Sequence, residues 1–381
     1  MNIAINATIL DDKPTGLGIY TLNVVNEIAK LVKIYVITSH TTPFETNPNI
    51  KIIKTPEIVQ PKNKKKGAIA RLLWLNLFLP RLLKKNKIDL LINLTHHGLL
   101  FSRIPQIMTI HDLIPIKFAS QYTFQSYYYR LLLPILIRKA IAINTCSEFI
   151  KKEIIHRYKV NRKKIFVSGN SFNPLMKNHI SIDEAEKDYI LMVGATYNHK
   201  NFHLVLKAYE KSEILKKYKL KIVGGKDNYL HYLKSLTMKL HLQDKIEFIE
   251  YADHEYLSEL YRNAKVFVYP SLYEGFGMPP LEAMWMGTPV VASRIESIEE
   301  TCGNSVCYFD PNSVVNIKEK LEFILGNETP KNELVRKGFE QIKKHTWSNV
   351  AKKIYDFVIS QKIIDNEYRS YEGIKEGKLI S

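Results

Sequence analysis

One segment of the 381-residue chain combines residue types that bind sugars and phosphates. Residues 266–284 predict a strand, a glycine loop and a helix that begins at two consecutive prolines, which suit a first helical turn. Glu274 lies on the loop and Glu282 in the first turns of the helix, with seven residues between them. Free N–H groups at a helix start attract anions, and Gly275 and Gly277 allow close approach of the backbone to a ligand. Carboxylates that accept hydrogen bonds from hydroxyls, beside backbone amides that bind phosphate, suit a sugar nucleotide as the ligand. The alternative interpretation is a plain turn with two solvated glutamates.

Three other segments place chemically useful residues directly after predicted strands. Gly16 and Gly18 open a helix after the first strand, where they form either a turn beside an anion-binding helix start or a merely structural turn. His111 ends a later strand, where it can donate to a hydroxyl or stabilise a developing charge, unless it is a satisfied structural histidine. Lys200, preceded by His199, follows the first strand of the second half. A lysine there is either available to an anionic ligand or solvated at the surface.

Together these segments resemble the signature of glycosyltransferase family 4. The dense part of the match is Glu274-Gly275-Phe276-Gly277, Pro280-Leu281-Glu282-Ala283-Met284 and Gly287-Thr288-Pro289-Val290-Val291-Ala292-Ser293. The looser part is Thr15–Tyr20, Thr109–Pro115 and Val193–Phe202. The resemblance implies a retaining, nucleotide-sugar-dependent enzyme of the GT-B fold, in which two doubly wound α/β domains face each other across a cleft.

The resemblance also implies roles for individual residues. Glu274 contacts the donor sugar, Glu282 holds the ribose, and the backbone amides of Phe276, Gly277 and Met278 face the sugar and diphosphate. The predicted donor-binding set is therefore Gly16, Gly18, His199, Lys200, Glu274, Gly275, Phe276, Gly277, Met278 and Glu282.

His111, Glu274 and Lys200 form the predicted catalytic set. The resemblance places His111, from the His-Asp-Leu-x-Pro segment, against the reacting sugar, and Asp112 caps the following turn or orients His111. The chain departs from the family at His199, where arginine is usual. Histidine is only partly charged near neutral pH and cannot form the two-pronged bond of arginine. We therefore expect a weaker diphosphate clamp, or one that is supplemented elsewhere. His96-His97 is a second, less favoured histidine candidate.

The substrates follow from the resemblance rather than from individual residues. Mannose or rhamnose donors, and a lipid-linked glycan acceptor in surface polysaccharide, O-antigen or capsule assembly, are the expected substrates. The alternatives are a non-catalytic sugar-nucleotide-binding protein and a GT-B sugar-nucleotide epimerase. The sequence has no Asp-x-Asp at a strand end and no His/Cys ligand spacing, so we expect neither a metal nor a cofactor.

Alternating strands and helices must position these residues. Predicted strands in the first half are Ile3–Ala7, Ile34–Thr38, Ile88–Asn93, Gln106–Ile110 and Ala142–Thr145, with helices at Gly18–Leu31 and Phe149–Tyr158. Predicted strands in the second half are Tyr189–Val193, Leu220–Val223, Ile246–Ile249, Val266–Tyr269, Pro289–Ala292 and Val306–Phe309. This alternation predicts parallel sheets covered on both faces. We expect one domain at 1–175, a second, nucleotide-sugar-binding domain at 176–360, and a polar tail at 361–381.

Positive charge is concentrated in the first half. Residues 1–178 contain 27 Lys and Arg against 9 Asp and Glu, whereas the whole chain has a net charge of +17. The segment 62–87 holds nine basic residues, no acidic residue and Trp74. A basic helix that bears tryptophan suits an anionic membrane interface; a core-packed helix with a solvated basic edge is the alternative. Residues 127–134 add aromatic and basic side chains.

The overall composition restricts the classes of protein. With 45% hydrophobic and 24% charged residues, the chain is globular rather than disordered. Its three cysteines have no paired spacing, which favours a reducing compartment. Nucleic-acid binding is not expected, because no helix-turn-helix, zinc or RNP-type motif is present. No apolar run reaches the ~18–20 residues that span a bilayer. We expect a cytoplasmic protein that is peripheral on the inner face of the cytoplasmic membrane.

Overall fold

The computed structural model describes residues 1–12, 14–173, 188–225 and 228–360, and its strands form two parallel sheets. The first sheet contains β1 (Ile3–Asn6), β2 (Ile34–Thr38), β3 (Ile50–Lys54), β4 (Leu90–Asn93), β5 (Gln106–Ile110), β6 (Ala142–Thr145) and β7 (Ile165–Val167). The second contains β8 (Tyr189–Val193), β9 (Lys219–Val223), β10 (Ile246–Ile249), β11 (Ala264–Tyr269), β12 (Val290–Ser293) and β13 (Cys307–Phe309). The predicted doubly wound α/β architecture is confirmed.

The two sheets have matching strand orders. The first runs β3-β2-β1-β4-β5-β6-β7 and the second β10-β9-β8-β11-β12-β13. In each sheet the second and third strands are added on one side of the first strand, and the fourth strand is added on its other side. Ligands of such sheets bind beyond the carboxyl ends of the strands at this reversal. The ends of β1 and β4, and those of β8 and β11, are therefore where a site is expected.

Helices cover both faces of the sheets. In the first half they are α1 (Gly16–Leu31), α2 (Lys64–Leu77), α3 (Leu79–Lys85), α4 (Ile114–Lys117), α5 (Thr123–Tyr127), α6 (Leu133–Lys139) and α7 (Glu148–Tyr158), with a π-helical turn at Tyr128–Leu132 between α5 and α6. In the second half they are α8 (Phe202–Glu210), α9 (Asn228–Lys239), α10 (His254–Arg262), α11 (Met278–Trp285), α12 (Glu296–Cys302), α13 (Val314–Gly326) and α14 (Glu328–Ile342). None of the helices in the described ranges is both long and apolar enough to cross a bilayer.

Two strands of the first sheet were missed by the sequence analysis. β3 and β7 are its two edges. β3 reads Ile-Lys-Ile-Ile-Lys and is largely solvent-accessible, and β7 has only three residues. Edge strands are short and carry charge because they have to resist pairing with other chains, which weakens the apolar pattern that reveals a strand.

A last helix, at residues 347–360, returns to the first half of the molecule. Trp347, Val350 and Ile354 pack in the apolar core of the first sheet, together with Ile3 and Val24. The sequence analysis placed these residues with the second domain, because their apolar spacing shows that one face is buried but not against which sheet. The predicted boundary at 175/176 and the predicted tail at 361–381 lie outside the described residues.

The basic segment 62–87 forms two helices, α2 and α3, rather than one. Trp74 is only 8% exposed and belongs to a core cluster, so it does not face solvent. Arg71 is also buried, and its guanidinium donates two hydrogen bonds to the Val59 carbonyl oxygen, at 2.8 and 3.0 Å. The large side chains that α2 exposes are instead Ile69, Leu73 and Leu77.

Candidate active site

The predicted site residues follow strands at the reversals of the two sheets. Lys200 comes after β8 and Glu274 after the neighbouring strand β11. His111 comes directly after β5 of the first sheet, one strand away from the reversal. Because the carboxyl ends of parallel strands meet at one edge of a sheet, residues far apart in sequence become neighbours there.

A buried ion pair joins two residues of the predicted donor site, Lys200 and Glu274. The Lys200 Nζ lies 2.7 Å from the Glu274 Oε1, and the two side chains are 17% and 10% exposed. Burial raises the pKa of Glu274, but the adjacent Lys200 ammonium outweighs burial and holds that pKa below its usual value. Glu274 is therefore a carboxylate at neutral pH. Because it is buried, its charge interacts with neighbouring charges more strongly than it would in water.

The loop that carries Glu274 contacts the first half of the molecule directly. The Gly275 carbonyl oxygen accepts hydrogen bonds from the Ser147 hydroxyl, at 2.7 Å, and from the Cys146 thiol, at 3.2 Å. A Cβ on Gly275 would lie 2.1 Å from the His111 carbonyl oxygen. The absence of a side chain at Gly275 thus lets the loop pack closely against the backbone at His111. The sequence analysis had instead expected this glycine to make room for a ligand.

His111 is held as a neutral imidazole. Its Nε2 lies 2.9 Å from the Leu94 carbonyl oxygen, which can only accept, so Nε2 carries the proton. Burial lowers the pKa of His111 to about 4. The Nδ1 is consequently unprotonated, so in this state it can accept a hydrogen bond but cannot donate one. The ring also packs edge-on against Tyr20, with 4.5 Å between centroids.

Asp112 caps the turn that follows His111. Its Oδ1 accepts a hydrogen bond from the Ile114 backbone N–H at 2.9 Å, which is the first of the two roles predicted for it. Burial raises the pKa of Asp112 to about 6, and the negative charge of Glu274 adds to the increase.

The glycine loop leads into α11, which begins at Met278. Gly277 has a φ of +111°, a conformation that favours glycine, and precedes the helix. Pro279 and Pro280 occupy the second and third helical positions and have no N–H. Of the four N–H groups that a helix start leaves free, those of Gly277 and Met278 therefore remain. Phe276 is 7% exposed, and its carbonyl oxygen accepts from the Thr301 hydroxyl at 2.8 Å.

Gly16 and Gly18 differ in their surroundings. Gly16 is exposed at the start of α1 and faces the donor loop, since a Cβ there would lie 4.0 Å from the Met278 Sδ. Gly18 is buried, and a Cβ there would meet Pro14 at 2.7 Å. Gly16 thus belongs to the surface between the two halves, while Gly18 packs within its own half.

His199 lies in an environment that does not suit a phosphate-binding cation. The residue is fully buried, and its ring lies 5.0 Å from that of Phe118 and 5.9 Å from that of Tyr197. Burial, with the Lys200 charge as a second cause, lowers its pKa to about 4. Neither ring nitrogen has a hydrogen-bond partner within the described part of the chain. The predicted partial positive charge is therefore absent at neutral pH in this arrangement.

Glu282 lies on α11, below the glycine loop. Its Oε2 accepts a hydrogen bond from the Tyr261 hydroxyl at 3.2 Å. Burial raises the pKa of Glu282 to about 7, although the Tyr261 hydroxyl and the Asn173 backbone N–H both oppose that increase. Glu282 is thus close to half protonated at neutral pH, and a ligand that donates two hydroxyls to it would favour the carboxylate.

Several residues that hold the site together were missed by the sequence analysis. Cys146 and Ser147 follow β6 and bond to Gly275, and Tyr261 bonds to Glu282. Ser147 also caps α7 by accepting from the Ile150 N–H at 3.2 Å. A serine between a strand and a helix is a detectable cap signal, but nothing in the sequence connects it to a loop 128 positions later.

No group of three or more His, Cys, Asp or Glu side chains that could hold a metal ion occurs in the described ranges. Metal independence stays a prediction.

Comparison with known proteins agrees with this architecture. The family model described as Glycosyltransferase Family 4 matches residues 14–174, and the one described as Glycosyl transferases group 1 matches residues 177–341. Sucrose-phosphate synthase from Thermosynechococcus elongatus has a similar structure, with a TM-score of 0.74 and 19% identity over 95% of this chain and 99% of that one. The Anabaena protein HepE, in complex with UDP and glucose, has a TM-score of 0.74 and 16% identity over 94% of this chain and 100% of its own. These structures establish a GT-B fold.

Two curated relatives are closer in sequence. The O-antigen chain mannosyltransferase RfbU of Salmonella typhimurium is 32% identical over 81% of this chain and 86% of its own length. The O-antigen chain mannosyltransferase B of Escherichia coli is 30% identical over 54% of this chain and 57% of its own length. The chain belongs to glycosyltransferase family 4, and it is a glycosyltransferase.

Proposed function

We propose that the protein transfers a mannosyl residue from a nucleotide diphosphate sugar to a lipid-linked glycan, with retention of the anomeric configuration. The setting we propose is assembly of O-antigen or a related surface polysaccharide. Two relatives are named O-antigen chain mannosyltransferases, which supports mannose over the rhamnose that the sequence also allowed. The observation that carries the donor half of the proposal is the buried Lys200–Glu274 pair at the carboxyl ends of β8 and β11.

In the proposed reaction, the bond from the anomeric carbon to the diphosphate oxygen breaks and its electron pair leaves with the diphosphate. Lys200 and the amides of Gly277 and Met278 stabilise that developing negative charge. Glu274 and the His111 Nδ1 accept hydrogen bonds from sugar hydroxyls and orient the ring. The acceptor hydroxyl then bonds to the anomeric carbon, and the released diphosphate takes up its proton. His199 contributes packing rather than charge, so the clamp is supplied mainly by Lys200.

We place the acceptor in a cavity of about 280 Å³ in the first half. His96 and His97 line this cavity together with Lys64, Lys65 and apolar side chains of α2 and α5. Burial lowers the pKa of His96 to about 3, with His111 and Arg71 as further causes, so the His96 imidazole is neutral. A neutral imidazole suits a sugar hydroxyl, and the two lysines suit the phosphate of a lipid-linked glycan.

The same region supports attachment to a membrane surface. Ile69, Leu73 and Leu77 are four positions apart on α2 and are 49%, 53% and 52% exposed. An exposed apolar stripe on a basic helix suits an anionic bilayer interface. A lipid-linked acceptor would then reach the cavity from the bilayer.

Donor turnover by the purified protein tests the catalytic proposal. GDP-mannose, UDP-sugars and dTDP-rhamnose are compared by thermal shift, because a donor at 100 times its Kd adds ~2.7 kcal/mol of stability. Release of the nucleoside diphosphate and NMR of the product's anomeric configuration then establish transfer. We expect GDP-mannose to be consumed with retention, and EDTA to have no effect. Inversion, or nucleotide-sugar binding without turnover, would contradict the proposal.

Variants test the residue assignments. Lys200→Met and Glu274→Gln are each expected to lower kcat by about 10²-fold or more, the scale for one oriented polar group. Lys207→Met removes an exposed lysine of α8 and serves as the matched control. Rates near the wild-type value in both site variants would refute these assignments.

A further inference from the structure

A strongly basic cavity lies in the first half, formed by residues other than those of the donor and acceptor sites. It measures about 630 Å³ and is bounded by α6, the end of α7 and the connection to β7. Five of its ten lining residues are cations: Arg130, Arg138, Arg157, Lys159 and Lys164. Among the residues that the structure describes, no acidic residue lines it.

No carboxylate in the described part of the chain pairs with the cations of this cavity. None of the five forms a salt bridge with another described residue. The Lys164 Nζ donates to the Arg138 carbonyl oxygen at 2.9 Å, and burial lowers the pKa of Lys164. Like charges gathered around a partly enclosed space repel each other, so a bound anion lowers the free energy of this arrangement.

An exposed apolar stripe lies beside the cavity on the same helical segment. Arg130, Pro134 and Arg138 are spaced four positions apart and line the cavity. Leu131, which follows Arg130, is 65% exposed, and Ile135, which follows Pro134, is 42% exposed. Residues four apart share one face of a helix. The segment therefore presents a basic edge and an apolar edge side by side.

The stripe continues toward the proposed acceptor cavity. Tyr127 and Phe124, the preceding members of the apolar edge, are 59% and 47% exposed. Phe124 also lines the cavity beside His96 and His97. Ile69, the first member of the exposed α2 stripe, also lines that cavity, so both apolar stripes reach it.

We propose that the basic cavity binds the phosphate headgroups of anionic lipids in a bilayer, while Tyr127, Leu131 and Ile135 enter the interfacial region. Anionic headgroups match five cations that form no salt bridge within the described ranges, and the bilayer accounts for the adjacent apolar edge. The protein then lies with its acceptor cavity toward the membrane. This inference deepens the membrane attachment proposed above and does not depend on which sugar is transferred.

Vesicle flotation with the full chain tests the inference. Vesicles of phosphatidylcholine with 30% phosphatidylglycerol are compared with pure phosphatidylcholine. The site variant carries Arg130→Gln, Arg138→Gln and Lys164→Gln. The matched control carries Lys33→Gln, Lys51→Gln and Lys54→Gln, which remove three exposed cations near the opposite edge of the first sheet. Each basic residue at an anionic surface is worth roughly fivefold in affinity, so we expect about 10²-fold weaker binding for the site variant and less than twofold for the control.

Equal losses in the two variants would indicate diffuse attraction and overturn the proposal, as would unchanged binding of the site variant. Saturation of the cavity by free glycerol phosphate, with no binding to vesicles, would show a soluble anion site instead and would also overturn it. Leu131→Trp keeps all five cations, and its added fluorescence is expected to shift to shorter wavelength on anionic vesicles; an unshifted spectrum counts against the proposal. Donor turnover with a water-soluble acceptor is expected to be normal in the site variant. Loss of vesicle binding is therefore distinguishable from failure of the proposed transfer reaction.

Discussion

Gly275→Ala is the substitution for which the structure makes the sharpest prediction. The new Cβ would stand 2.1 Å from the His111 carbonyl oxygen and 3.2 Å from the Asp112 Cβ. Contacts of a Cβ shorter than 3.0 Å essentially do not occur, so the loop has to retreat by about 1 Å. The retreat strains the hydrogen bond from the Ser147 hydroxyl to the Gly275 carbonyl oxygen and displaces Glu274, the preceding residue.

The expected cost falls more on catalysis than on folding. A displacement of about 1 Å at a reacting group lowers rates by about 10²-fold, so kcat/KM for donor turnover should fall on that scale. Overpacking costs about 1–3 kcal/mol of stability, which leaves the protein folded. The measurement is steady-state kinetics combined with thermal unfolding.

A matched control isolates the effect of the contact. Gly326 ends α13, is exposed and has no atom within 4 Å of an added Cβ, so Gly326→Ala should change neither kcat/KM nor Tm appreciably. If Gly275→Ala retained kcat/KM within about twofold of wild type, the close approach of the donor loop to His111 would not be needed for the reaction, and the reasoning would fail.

Three further predictions concern buried groups. Lys200→Met or Glu274→Gln alone leaves an unpaired buried charge and should cost about 3–5 kcal/mol by denaturant unfolding; the double variant should recover part of that stability but no activity, and strict additivity would contradict the coupling. Glu282→Gln should raise stability by about 3 kcal/mol at pH 8 and not at pH 4, because burial raises the carboxyl pKa to about 7 and ionisation therefore disfavours the folded state as pH rises from about 4.5 to 7; a difference independent of pH would argue against it. Trp347→Ala should lower the free energy of unfolding by about 3–5 kcal/mol, since this 7% exposed side chain packs against the first sheet; a loss below 1 kcal/mol would show that the returning helix is not held there.

Much of the fold could be predicted from the sequence because its signals are local. Ile34–Thr38, Gln106–Ile110 and Tyr189–Val193 match the observed strands residue for residue. They are interior strands buried on both faces, and their continuous apolar runs are strong signals. The order of strands and helices then implied parallel sheets, and the contiguous motif from 274 to 293 indicated the family.

The arrangement of the candidate site was less accessible to sequence reasoning. The sequence analysis placed a partly charged His199 beside Lys200 in a weakened diphosphate clamp, but the structure buries His199 among aromatic rings that include Phe118, from the other half of the chain. Trp74 suited a membrane interface by composition, yet it lies in the core. Whether a side chain is buried depends on what packs against it, and a local pattern does not contain that information.

The sequence by itself determined most of the secondary structure, the class of fold and the family, since each of these depends on residue types at short separation. Only the tertiary structure decided which residues meet. Gly275 contacts His111 and Ser147, which lie 164 and 128 positions earlier, and residues 347–360 return to the first sheet. The physical reason is that short-range sterics and hydrogen bonding fix helices and strands, whereas charge state, burial and contacts between the two halves depend on which distant surfaces the folded chain brings together.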